Sequence, residues 1–160
     1  MTMTERTAEK VKLAIHKGLE NEFELGGLRF RACRREVADI DGGVTLQVWT
    51  SSGDAERELL RFDCFRKAPH YHAPGENPDE TKIDPERFGD GRDWVYEQLT
   101  LNARRLLEQS GWTPDAAAVD FEALGDLEPR LRELVDALPE PTETSYFEVD
   151  AARLAGNQNT

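Results

Sequence analysis

LRFRACRREV (residues 28–37), DGGVTLQVW (41–49) and ELLRFDCF (58–65) are the stretches that decide how this chain folds. Over residues 25–37 large and polar side chains alternate: Leu28, Phe30 and Ala32 fall on one side, Arg29, Arg31, Cys33 and Arg35 on the other. A period of two marks a strand with one buried face. Asp41-Gly42-Gly43 gives a turn, and Val44, Leu46 and Val48 resume the alternation before Thr50-Ser51-Ser52-Gly53-Asp54, a second turn signal. A third run, residues 56–65, sets Leu60, Phe62 and Cys64 against Arg57, Leu59, Arg61, Asp63 and Phe65. Three consecutive strands with short turns form an antiparallel meander, whose apolar face needs helices to cover it.

Working outward, Ala8, Val11, Ala14, Ile15 and Leu19 recur at helical spacing behind Thr4, a suitable N-cap, and predict an N-terminal helix. After the strands, residues 66–92 have no periodicity and carry Pro69, Pro74, Pro78 and Pro85 with Gly75, Gly89 and Gly91. That composition predicts a long Pro/Gly loop, and loops of such length are usually functional or disordered. From Asp93 onward Trp94, Val95, Leu99, Ala103, Leu106 and Leu107 make a helical stripe ending at Gly111. Thr113-Pro114 opens a short helix to residue 124. Asp126 opens another, lined by Leu127, Leu131, Leu134, Val135 and Leu138 and stopped by Pro139 and Pro141. Residues 146–149 read as a short strand or a packing arm. The expected architecture is α+β: an N-terminal helix, a three-stranded antiparallel meander, a long Pro/Gly loop, and two to three C-terminal helices packed on the sheet. Residues 4–150 form one domain in this reading, and 151–160 a flexible polar tail.

A chain of 160 residues is long enough for one core that needs no disulfide or metal to hold it. Cys33 and Cys64 both fall in strand patterns, where free buried thiols are expected. The formal charge of −12 repels phosphate backbones and anionic lipid, so nucleic acid is disfavoured as a partner and a membrane surface is excluded. A protein partner of basic character or a small anionic ligand at a locally basic site remains open. No stretch approaches the ~20 apolar residues of a membrane helix. Residues 1–6 lack the apolar core of a secretory signal, which leaves the cytoplasm as the expected location.

Chemistry concentrates in residues 60–74, LRFDCFRKAPHYHAP, which hold two of the three histidines. In extended backbone His70 and His72 project to the same side. Two imidazoles on one side suit a divalent metal, with Asp63 as a carboxylate ligand or as the acceptor that fixes a histidine tautomer. They equally suit general acid–base chemistry without a metal, or plain structural bonding to backbone groups. Asp63, His70 and His72 are the candidate catalytic and metal-ligating residues, and a divalent metal is the one cofactor indicated. Arg31, Arg61 and Tyr71 are the candidate contacts to an anionic substrate, since Arg29, Arg31, Arg35, Arg57 and Arg61 line one face of the strands. The competing reading is a solvated face with cross-strand ion pairs. The acidic loop residues 76–80 reach back as extra metal ligands or stay solvated. The function expected from these features is a small metal-binding or acid–base enzyme acting on an anionic substrate. The alternative is a non-catalytic, acidic accessory protein that docks a protein partner.

The segment Arg61-Phe62-Asp63, followed by Pro69-His70-Tyr71-His72, resembles the TumE-type family of bacterial toxins. Members carry an Arg–aromatic–Asp strand and then proline with closely spaced histidines. The resemblance spans about fifteen residues and implies a toxin–antitoxin role with Asp63, His70 and His72 near the active region. The remaining length, the acidic charge and the C-terminal helices depart from that pattern and point to an uncharacterised bacterial domain family.

Overall fold

The computed structural model describes residues 9–50 and 56–151. Eight strands make one sheet: β1 (Lys10–Lys17), β2 (Asn21–Leu25), β3 (Leu28–Val37), β4 (Asp41–Thr50), β5 (Glu58–Phe65), β6 (His70–His72), β7 (Thr81–Lys82) and β8 (Glu143–Asp150). Their order is β7-β6-β5-β4-β3-β1-β8, with β2 also paired to β3, and every pairing is antiparallel. Between β7 and β8 run α1 (Pro85–Phe88), α2 (Arg92–Leu101), α3 (Ala103–Gln109), α4 (Thr113–Ala117), a 3-10 turn (Ala123–Asp126) and α5 (Leu127–Asp136).

This corrects the expected architecture of an N-terminal helix beside a three-stranded meander. The three alternating runs are β3, β4 and β5, but they are the centre of a wider sheet. The supposed N-terminal helix is strand β1 over its described part, paired along its full length with β8, from Lys10 opposite Asp150 to Lys17 opposite Glu143. The spacing of Val11, Ala14 and Ile15 fits a helix. Val11, Leu13 and Ile15 fit a strand equally well, and the distant partner β8 decides between them. Thr4, Ala8, the turn residues 51–54 and residues 152–160 of the expected tail lie outside the described residues.

Between β1 and β2 the chain gains one residue over its partner β3. Lys17 is opposite Arg35 and Asn21 opposite Ala32, a bulge. It falls just past Gly18, whose N–H still bonds the Arg34 carbonyl at 2.9 Å and where a Cβ would come within 2.7 Å of the Pro139 carbonyl.

The expected loop over residues 66–92 contains β6, β7 and α1. Strands of three and two residues are too short to show a period, and the hydrogen bonds of the neighbouring strand set them. The expected single helix after Asp93 breaks at Asn102, whose φ of −127° leaves the helical region and separates α2 from α3. Gly111 adopts φ +89° just past α3, the conformation that favours glycine at a helix end.

The core lies between one sheet face and the helices. Phe30, Leu46, Val48, Leu60 and Phe62 meet Val95, Leu99, Leu107, Leu124, Leu127 and Leu131, all essentially without exposure. Burying each such side chain contributes ~1.5–3 kcal/mol relative to leaving it in water. No helix among the described residues is long and apolar enough to cross a membrane.

Candidate metal centre

Strand register builds the site. Asp63 on β5 stands directly opposite Thr45 on β4 and opposite His70 on β6. Two residues back, Arg61 stands opposite Gln47 and His72. Directly paired residues share a sheet face, so these six side chains form two adjacent rows on the face turned away from the helices. Cys33 extends the first row on β3, opposite Thr45. Arg35 lies one step further along, opposite Gly43, and reaches across the missing side chain toward Asp63.

Asp63 is the hub. It is 2% exposed, which would be costly for an isolated carboxylate. Its Oδ1 accepts a hydrogen bond from the Thr45 hydroxyl at 2.7 Å and lies 4.0 Å from Arg35 Nη1. Its Oδ2 lies 3.0 Å from His70 Nε2, 3.6 Å from His72 Nε2 and 3.5 Å from Arg61 Nε. Glu80, brought in by the chain just before β7, places Oε2 3.2 Å from His70 Nε2. The two imidazoles stand edge to face with centroids 5.1 Å apart, and Phe65 packs at right angles to His70.

The far side of each ring fixes its tautomer. His70 Nδ1 is 2.9 Å from the Ala68 carbonyl, and His72 Nδ1 is 2.8 Å from the Asn77 carbonyl. A carbonyl only accepts, so Nδ1 donates in both rings. Each Nε2 therefore turns toward Asp63 either as a lone pair or, in the imidazolium, as a donor. Asp63, His70 and His72 offer ligand atoms that all lie within 4.8 Å of one another.

Electrostatics within the cluster are mutually reinforcing. Burial opposes the charged form of Asp63, but the contacts from His70, His72, Arg61 and Thr45 outweigh it and hold its carboxyl well below the usual range. Burial likewise opposes a charged His70, yet Asp63, the Ala68 carbonyl and Glu80 raise it above the ordinary histidine value. His72 is raised chiefly by its contact with Asp63. Nearby Glu58, 9% exposed and bonded by Gln47, is pushed upward by burial.

The structure thus brings together Asp63, His70, His72 and Arg61 from the sequence reading. Arg31 sits apart, donating to Glu22 at 3.0 Å and stacked on Trp49 with 5.0 Å to the ring centroid. Tyr71 projects to the helix-covered face, where its ring meets Phe62 and Trp94. Thr45 and Glu58 had no sequence signal, because only the strand register and the folded loop show their neighbours. Glu80 belonged to the acidic loop run, and its place in that run alone did not separate it from Glu76 or Asp79.

Fold and cluster define an antiparallel sheet domain, capped by helices on one face, with a histidine–carboxylate cluster on the other. Over residues 22–135 the chain matches the family described as a domain of unknown function (DUF7700), and it belongs to that family. No curated protein and no solved structure gives a significant match. The family assignment takes the place of the toxin resemblance of residues 61–72, which no comparison repeats.

Proposed function

We propose that the protein is a metal-dependent enzyme in which Asp63, His70 and His72 hold one divalent cation beside an anionic substrate. One observation carries this reading: both histidines spend Nδ1 on backbone carbonyls and turn Nε2 to the same carboxylate oxygen. Histidines that ligate a metal are typically oriented in this way, the second nitrogen donating to a carbonyl or carboxylate. Two imidazoles and a carboxylate suit zinc, iron, copper or nickel over calcium or magnesium.

A cation held there supplies Lewis acidity and a bound water that ionises near neutral pH. The chain's own residues do the rest. Thr45 holds the Oδ1 side of Asp63 and leaves Oδ2 for the cation. Arg61, 30% exposed beside Oδ2, is placed to meet negative charge on a substrate. Glu80, exposed at the rim, is placed to take a proton from, or return one to, solvent.

Metal content by elemental mass spectrometry, on the wild type and the His70→Ala/His72→Ala variant, tests this. Near-stoichiometric metal in the wild type that is lost in the variant is the expected result. Wild-type protein that retains no metal after incubation with zinc, iron and manganese would overturn the proposal.

A further inference from the structure

We infer that the substrate's anionic group is a phosphate-type dianion held between the guanidinium groups of Arg35 and Arg61; this rests on the metal reading above. Arginines on the same face of the sheet are otherwise matched to acids. Arg29 bonds Glu24 and Glu56, and Arg31 bonds Glu22. Arg35 and Arg61 differ. They are 20% and 30% exposed, the Nε of each is buried, and neither Nε has a hydrogen-bond partner. Their approaches to Asp63, at 4.0 and 3.5 Å, are ion-pair contacts too long or too poorly aligned for hydrogen bonds. Buried N–H donors are rarely left without an acceptor, and those that are point to a missing one.

Position and charge say which acceptor fits. Arg35 comes from β3 across Gly43, and Arg61 from β5, so the two forks flank the carboxylate from opposite sides. A divalent cation at Asp63 Oδ2 would lie between them. That cation, the two arginines and Lys82, opposite His70 at the rim, face Asp63, Glu80 and Glu58, which leaves two positive charges for a ligand to neutralise. Glu58 is bonded by Gln47. A carboxylate or a phosphodiester brings one negative charge, whereas a terminal phosphate brings nearly two at neutral pH and three oxygens for two forks. The overall charge of −12 opposes a polyanion. The occupant is therefore a small molecule, either free phosphate or a phosphomonoester.

Isothermal titration of zinc-loaded protein with inorganic phosphate, phenylphosphonate and acetate tests this, with metal content measured on every sample. The expected result is one phosphate or phosphonate per chain, bound more tightly than acetate. Arg35→Gln and Arg61→Gln each weaken binding about tenfold or more, as loss of a charge-assisted hydrogen bond does, with metal content unchanged. Arg31→Gln leaves binding as it was. Tighter phosphonate than phosphate binding identifies a monoester as the source, and the reverse identifies free phosphate. Should a glutamine variant fail to fold, Arg35→Lys and Arg61→Lys keep the charge, lose the fork, and are expected to show the same weakening. Zinc-loaded wild type that ignores phosphate, or variants that bind it equally well, would overturn the anion site while leaving the metal reading intact. Wild type that takes up no metal overturns both.

Discussion

Thr45 donates its hydroxyl to Asp63 Oδ1 at 2.7 Å across the β4–β5 ladder, with both residues almost wholly buried. The bond fixes the rotation of the carboxylate and decides which oxygen meets the histidines. Thr45→Val keeps the shape and removes the donor. It is expected to cost ~1–3 kcal/mol of stability and to weaken zinc about 10–100-fold, the usual penalty for losing a group that orients a ligand. Denaturant unfolding and chelator competition measure the two effects.

Asp63→Ala leaves Arg35, Arg61 and two histidines facing one another with only Glu80, at the rim beside His70, as counter-charge. Removing one member of a buried charged cluster costs about 3–5 kcal/mol. We expect a loss of that size in metal-free protein by chemical denaturation, and a smaller one for Asp63→Asn. A loss under about 1 kcal/mol would mean that solvent screens the cluster.

The metal-free protein should be most stable in mildly acidic solution. His70 and His72 are raised above their ordinary value on folding. Their contribution is therefore complete below about pH 6.5 and is lost as pH rises through the folded values. Asp63 is lowered, so its contribution is complete above about pH 4 and is lost as pH falls. Melting temperature against pH should rise from acid, plateau between these limits and decline toward alkaline pH. Zinc should reverse the alkaline decline, because only neutral imidazole binds metal.

Tyr71 lies between the two candidate ligands in sequence and on the opposite face in space, against Phe62 and Trp94. Tyr71→Ala should cost about 1–3 kcal/mol through lost packing while leaving metal stoichiometry unchanged. A drop in metal content at full stability would contradict that separation.

Sequence alone went furthest where a period of two persisted. The runs ending at Val37, Val48 and Phe65 became β3, β4 and β5, and the shared side of His70 and His72 followed from the same rule. It failed where a partner far along the chain decides. β1 is a strand because β8 pairs with it, and nothing within residues 10–17 separates that outcome from a helix. β6 and β7 are too short to carry a pattern. Arg35 was legible as part of a basic stripe, but Gly43 lets it reach Asp63 in place of Arg31, and this follows only from the register of β3 on β4.

β1 and β8 both fall outside residues 22–135, while every candidate ligand and both arginines fall inside. In the sheet order β8 is five strands from β6, roughly 24 Å at the usual spacing between neighbours. β1 still touches the site's edge, with Lys17 opposite Arg35, but β8 is a handle remote from the ligands. A fluorophore or affinity group carried on β8 would report whether the sheet is intact without crowding the ligands, and metal uptake and folding could be followed separately in one molecule.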